Sequence, residues 1–223
     1  MSIGTFQSSG YEIVADAVPA MECESLAETM RDSAAHSGAR CFLAEPWCAA
    51  LSQRLREHAR LAELIPAGHV AVQCTYFEKS TDRNWLVPVH QDLSIPVASR
   101  VSAPNLRGWS EKEGQLFVQA PVALLEQLIA VRVHLDPCGE LDGPLKVVPG
   151  SHMRGVVRPE AAVHARQVEG EVACLCDRGG ALVMRPLLLH ASAKSAGHSR
   201  RRVLHFVFGP RVIGYGLRWH HAV

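Results

Sequence analysis

The sequence predicts a mainly β domain with helices on its N-terminal side, and three observations predict it. Before about Val70, apolar residues recur at helical spacing between proline starts and glycine or proline stops; after Val70, β-branched and aromatic runs alternate with Gly/Pro turns. A length of 223 residues, with 48% hydrophobic and 20% charged positions, suits one domain with a substantial core. The chain also shows no internal repeat and no low-complexity linker at which to divide it.

In order along the chain, Pro19–Ala35 and Pro46–Ile65 read as amphipathic helices, with prolines near their starts and Gly38 or Pro66 beyond their ends. Strands are expected over 70–79, 86–95, 129–136, 145–149, 181–191 and 202–209. Pro186 favours a bend or an edge position within the fifth of these. Pro121–Gln127 reads as one short helix. Residues 96–120, with Pro104, Gly108, Trp109 and Gly114, read as a long polar insert of the kind that often forms a lid. The expected organisation is a single domain over 1–223, in which a mostly helical part, 1–69, packs on a β core, 70–209, followed by a tail, 210–223.

Composition removes several function classes. A formal net charge of +1 gives no broad field for nucleic acid or an anionic membrane. No apolar stretch approaches the roughly 20 residues that cross a bilayer. The opening MSIGTFQSSGYEIV lacks a basic start followed by an apolar run, so the expectation is a cytoplasmic protein with no secretory leader. Seven cysteines, at 23, 41, 48, 74, 138, 174 and 176, match no zinc template; free, mostly buried thiols are expected, and strand alternation explains Cys174 and Cys176.

The informative motif is His90-Gln91-Asp92 in an apolar, β-rich run. On an extended strand His90 and Asp92 point the same way and Gln91 turns to the other side. One imidazole nitrogen and one carboxylate oxygen then share a space, and a third ligand from a distant strand would complete the two-histidine, one-carboxylate face that leaves positions open on non-haem Fe(II). His190 follows a hundred positions later at the end of an apolar run, after which a Gly-containing stretch leads to Arg200-Arg201-Arg202 and a second β-like run, Val203 to Phe208. An arginine beside such a metal matches a carboxylate bidentately and stays charged at physiological pH. Alternation alone does not say which of the three arginines points inward.

Four separated motifs recur in order: His90-Gln91-Asp92; Asp142-Gly143-Pro144-Leu145-Lys146-Val147-Val148-Pro149-Gly150-Ser151-His152; Pro186-Leu187-Leu188-Leu189-His190-Ala191-Ser192; and Arg201-Arg202-Val203-Leu204-His205. Over roughly Val70 to Phe208 they resemble the phytanoyl-CoA dioxygenase family of Fe(II)/2-oxoglutarate oxygenases. The tail Gly216-Leu217-Arg218-Trp219-His220 is similar to one found in bacterial members. The resemblance implies a double-stranded β-helix, a cupin-like jelly-roll of two packed sheets with helices on one side. It implies that His90, Asp92 and His190 bind iron and that Arg201, eleven positions after His190, pairs with the C5 carboxylate of 2-oxoglutarate, with Ser192 bonding the same carboxylate. The family often draws further co-substrate contacts from the first core strand, where Gln73, Thr75 and Lys79 share a face. The implied reaction consumes O2 and 2-oxoglutarate and hydroxylates a small molecule, and Asp92 speaks against halogenation, which needs that carboxylate replaced.

Plainer readings stand beside these. His90 with Asp92 could be a buried hydrogen-bonded pair, His190 a satisfied core histidine, and Ser192 a loop hydroxyl capping its own backbone. His152 competes for the place of third ligand, although its Pro-Gly turn explains the motif by loop geometry. Arg200 and Arg202 read as a solvated basic edge, and His205, on the face of Arg201, could sit near the pocket, with packing as its plainer role. Trp85 could line the pocket mouth, and Arg132 with His134 could serve a substrate pocket if their shared strand face is the inward one. The rival functions are a cupin-like metal enzyme that needs no 2-oxoglutarate and a non-catalytic binding or sensing jelly-roll.

Overall fold

A computed structural model describes residues 3–33, 40 and 42–223. The expected helix end at Ala35, the stop at Gly38 and Cys41 lie outside the described residues. The described strands are β1 (Tyr11–Val14), β2 (His69–Lys79), β3 (Val87–His90), β4 (Ser94–Val97), β5 (Arg107–Lys112), β6 (Gln115–Gln119), β7 (Ile129–His134), β8 (Leu145–Val147), β9 (Val172–Cys174), β10 (Ala181–Met184), β11 (His190–Ser192) and β12 (Arg201–Pro210). The helices are α1 (Ile3–Ser9), α2 (Ala20–Ser33), α3 (Pro46–Glu57), α4 (Ala59–Leu64), α5 (Val122–Leu125) and α6 (Pro159–Glu169).

A five-stranded antiparallel sheet, β1-β10-β7-β12-β2, faces a four-stranded one, β3-β11-β8-β9, in the expected jelly-roll. Residues paired across an antiparallel ladder share a face. Leu204 pairs with Tyr76 and Val133, and Phe206 with Cys74 and Val131; all are buried on the outer face against Leu51, Leu55 and Leu61 of α3 and α4. Each such fully buried Leu or Phe side chain contributes about 1.5–3 kcal/mol relative to exposure. The alternate set, Lys79 with Arg201 and Thr75 with His205 and Arg132, therefore turns into the barrel. The outer face is apolar because helices cover it, whereas the inner face carries this polar set beside an apolar patch of Ala130, Leu182 and Met184 that packs on the facing sheet.

Several sequence expectations are corrected. The strand expected over 86–95 is two strands in different sheets, because at Gln91–Leu93 the backbone leaves the ladder and Asp92 N–H donates to Pro186 O at 2.9 Å. The 181–191 run likewise divides: β10 ends at Met184, a turn through Pro186 closes with Leu188 N–H donating to Arg185 O, and β11 starts at His190 in the other sheet. The helix expected over 46–65 breaks at His58, whose extended backbone ends α3 and whose ring accepts the Leu61 N–H to start α4. Residues 96–120 are a built wall and not a structureless insert: β4, β6 and β5 pair into a third sheet that packs on Val70, Val72, Val207 and Trp219. Its tight turn is Glu113-Gly114, both at positive φ (51° and 73°), the backbone of a two-residue hairpin between Lys112 and Gln115.

Arg202 is no solvated edge. It points to the outer face, grips Asp136 through Nε and Nη2 at 2.7 Å each, and donates to Ala27 O of α2. Arg200 pairs with Glu78. The six described cysteines are free and buried, and no described helix is long and apolar enough to cross a membrane. Because Asp136 and Arg202 are only 8% and 14% exposed, Asp136→Ala should lower stability by about 3 kcal/mol, stranding a buried guanidinium. Urea unfolding measures it, and a loss below about 1 kcal/mol would mean that water screens the pair.

Candidate active site

A cavity of about 350 Å³ opens between the two sheets, walled at its mouth by Ser94, Lys112 and Phe117 of the third sheet. At its centre β3 and β11 pair so that His90 lies directly opposite His190, with ring centroids 4.2 Å apart. Asp92 lies two residues beyond the end of β3, not on it, yet reaches the same space. Its carboxylate oxygens lie 3.7 Å from Nε2 of His90 and 3.7 Å from Nε2 of His190. One donor atom from each of the three falls within 4.8 Å of the others.

Hydrogen bonding prepares these donors for a metal. Nδ1 of His90 lies 2.9 Å from Pro88 O, and Nδ1 of His190 lies 2.8 Å from Leu188 O. A carbonyl only accepts, so each Nδ1 carries the proton and each Nε2 presents its lone pair to the centre. Burial keeps His190 neutral, pulling its pKa down to about 4 although Asp92 opposes this. For Asp92, burial acts upward but His190, His205, His90 and Arg132 outweigh it and hold the carboxyl below its usual range. Two neutral imidazoles and a carboxylate suit a divalent first-row ion with open positions.

The turn that carries Asp92 is fixed by Gln91, which borders the cavity and commits its amide to the surrounding backbone. Its Nε2 donates to Leu187 O at 2.6 Å and Gly155 O at 2.8 Å, and its Oε1 accepts from Val157 N–H at 2.8 Å. On the neighbouring loop Ser151 Oγ accepts the Leu189 N–H at 2.9 Å, locking the residue before His190. The Pro149–His152 motif is therefore a brace. His152 bonds Gln7 O and does not line the cavity.

At one end of the cavity the buried Lys79 ammonium donates to Ser192 Oγ at 2.8 Å and Ala193 O at 2.6 Å, and lies 5.6 Å from the Trp85 ring centroid. Burial, then Arg201 and Arg132, lowers its pKa to about 8. Arg201, paired with Lys79 in register, is 4% exposed; Nη1 donates to Gly143 O and Nε has no hydrogen-bond partner. Deeper in, Arg132 Nη1 donates to His205 Nδ1 at 3.0 Å and the guanidinium lies 5.4 Å from the Phe77 ring centroid. His205 Nε2 is 4.0 Å from Asp92.

His90, Asp92, His190, Ser192, Arg201, Gln73, Thr75, Lys79, Trp85 and Arg132 thus all line one cavity. His134 does not: it shares Arg132's inward face but is 3% exposed and is not among the residues that line the cavity. His205 is a cavity residue, not only packing, and Phe77, Phe117 and Lys112 line the cavity although nothing in the sequence singled them out. The signal for His205 was present: it lies four positions from Arg201 on one strand, hence on the same face.

A jelly-roll that gathers two imidazoles and a carboxylate opposite buried cations belongs to the mononuclear non-haem metal oxygenases. The model of the family described as Phytanoyl-CoA dioxygenase (PhyH) matches residues 6–203, and the chain belongs to that family, the iron- and 2-oxoglutarate-dependent dioxygenases its motifs resemble. Among solved structures, EctD from S. alaskensis, crystallised with 2-oxoglutarate and 5-hydroxyectoine, is similar at TM-score 0.69 and 20% identity, over 94% of this chain and 76% of that one. HygX from Streptomyces hygroscopicus with iron bound is similar at TM-score 0.64 and 15% identity, over 100% and 98% of the two chains. AviO1 from Streptomyces viridochromogenes Tue57 gives 0.64 and 19%, over 95% of each. No curated protein matches the sequence.

Gln91→Leu removes three hydrogen bonds from the turn holding Asp92. Fe(II) affinity, measured anaerobically by competition with a chelator, should fall about 10- to 100-fold. An unchanged affinity would show that the turn holds its shape without the amide.

Proposed function

We propose that this dioxygenase hydroxylates a small molecule, with His90, Asp92 and His190 as its iron ligands and Arg201, Ser192 and Lys79 seating the far carboxylate of 2-oxoglutarate. The observation that carries the reading is the division of one cavity into a three-donor face and a separate cationic end. Iron and 2-oxoglutarate, when bound, supply the oxidising chemistry: O2 is reduced, 2-oxoglutarate is decarboxylated to succinate and CO2, and one oxygen atom enters a C–H bond of the substrate.

The chain's own part is positioning. Proton-bearing Nδ1 atoms, tied to Pro88 and Leu188 carbonyls, aim both imidazole lone pairs at one point. Arg201, with Nε unpartnered and its other arm bonded to Gly143 O, offers a fork to a carboxylate, and Lys79 with Ser192 adds an ammonium and a hydroxyl beside it. Gln73, Thr75 and Trp85 line the walls. The third sheet closes one side of the mouth, which limits the access of water. Free buried thiols fit work in a reducing cytoplasm.

Arg201→Ala separates this reading from a cupin-like enzyme that needs no 2-oxoglutarate. The KM for 2-oxoglutarate should rise about 100-fold, the loss of a charge-assisted bidentate contact. Full turnover with an unchanged KM would favour the rival. The pH profile gives a second test, because Lys79, lowered to about 8, is charged below that pH and neutral above it. The KM for 2-oxoglutarate should therefore rise several-fold between pH 7 and 9, and Lys79→Met should flatten the rise. A wild-type KM that does not change over this range would remove Lys79 from the seat.

A further inference from the structure

Resting on this oxygenase reading, we infer that Arg132 is a second anion seat in the cavity and that the molecule oxidised is a carboxylic acid held by its carboxylate. Arg132 is 8% exposed and lines the cavity. One arm is spoken for: Nη1 donates to His205 Nδ1 at 3.0 Å. Because a guanidinium only donates, that bond also fixes the imidazole with its proton on Nε2, which turns toward Asp92. At 4.0 Å this contact is too long for a hydrogen bond. The Phe77 ring, 5.4 Å from the guanidinium carbon, supports its face. Nε has no partner, so the Nε–Nη2 edge, whose two parallel N–H groups match a carboxylate, is left without one.

The charge of the cavity points the same way. Its walls carry Lys79, Arg132 and Arg201 deep inside and Lys112 at the mouth, against Asp92 as the one carboxylate among the lining residues. Among the described residues none of these four cations has a carboxylate within ion-pair distance, whereas Arg40, also at the mouth, is paired with Glu113. A ferrous ion and 2-oxoglutarate cancel each other's charge, which leaves the four cations and Asp92 as they were. The co-substrate's far carboxylate engages one cationic cluster, Lys79 with Arg201, which sit opposite each other in register. Arg132 lies on a different strand, two rows further along the inner face, past the row of Phe77, Val203 and His134, beside His205 and across from the iron ligand Asp92. A buried cation is costly unless an anion meets it. A carboxylate on the oxidised molecule meets it, and so seated the acid lies close to the metal, with Lys112 drawing it in from the mouth.

The test needs no knowledge of the natural acid. The full chain is loaded with Ni(II), which does not turn over, and saturating 2-oxoglutarate, so that the Arg201 end is filled. Benzoate against benzamide, and hexanoate against hexanamide, are then titrated by calorimetry. In at least one pair the acid should bind about tenfold more tightly than its amide or better, the discrimination expected of a charge-assisted bidentate contact. Arg132→Gln should abolish that preference while still taking up 2-oxoglutarate. If that variant does not fold, Arg132→Lys replaces it, keeping the charge but losing the fork, and the preference should fall several-fold. Amides that bind as well as acids in both pairs overturn the proposal. So does a preference unchanged by either substitution, or an Arg132→Gln protein that no longer binds 2-oxoglutarate, since Arg132 would then belong to the co-substrate. A wild-type chain that fails to bind 2-oxoglutarate at all would sink the oxygenase reading itself, a separate result read in the loading step.

Discussion

The whole site depends on one strand pairing, β3 against β11, in the register that puts His90 opposite His190. A slip of one residue would turn either histidine to the other face of the sheet and leave Asp92 without its companions. Three strands and two turns share the task of preventing that slip. Val147 of β8 pairs with the other side of His190, Ser151 holds Leu189, and the turn at Pro186–Leu187 accepts bonds from both Asp92 N–H and Gln91. The backbone that positions the carboxylate and the backbone that leads into His190 are thus one hydrogen-bonded unit. A metal centre can draw its ligands from residues a hundred positions apart because that unit ties their backbones together.

The five-stranded sheet sets the second constraint. Its outer face is filled by Leu204, Phe206, Phe208 and the helices, and the inner face, apolar at Ala130, Leu182 and Met184, carries Lys79, Thr75, Arg132, Arg201 and His205 into the cavity. A polar interior is unfavourable in a protein whose only task is to be stable. Here the helices restore the balance on the far side of the sheet, and the cost of enclosing cations is offset when anionic ligands enter.

Much of this was legible in the sequence because the informative signals were local. His90-Gln91-Asp92, the spacing from His190 to Arg201 and the parity of Gln73, Thr75 and Lys79 depend on short stretches of chain, and the structure brings those side chains to one cavity. What failed depended on contacts between distant segments. The break after His90 arises from Pro186 and Gly155, remote in sequence, and a reading of apolar runs cannot see it. The wall at 94–119 was missed because its strands expose polar residues and its turn is Glu-Gly, not the Asn-Gly or Asp-Gly pair that marks such hairpins. His134 shares the parity of Arg132, and parity does not tell a side chain that reaches the cavity from one buried beside it. Arg202 looked like a solvated neighbour of Arg201, yet alternation sends it to Asp136 and α2.

The carbonyl tethers on Nδ1 of His90 and His190 have a consequence for metal choice. Two neutral imidazoles and one carboxylate are donors that other divalent first-row ions accept as well as iron does. Binding strength at such a site then follows the general order of divalent ions, in which copper and nickel exceed ferrous iron. Selection of the working metal passes from the polypeptide to the supply of ions around it, and protein prepared in rich medium should carry a mixture that iron must displace.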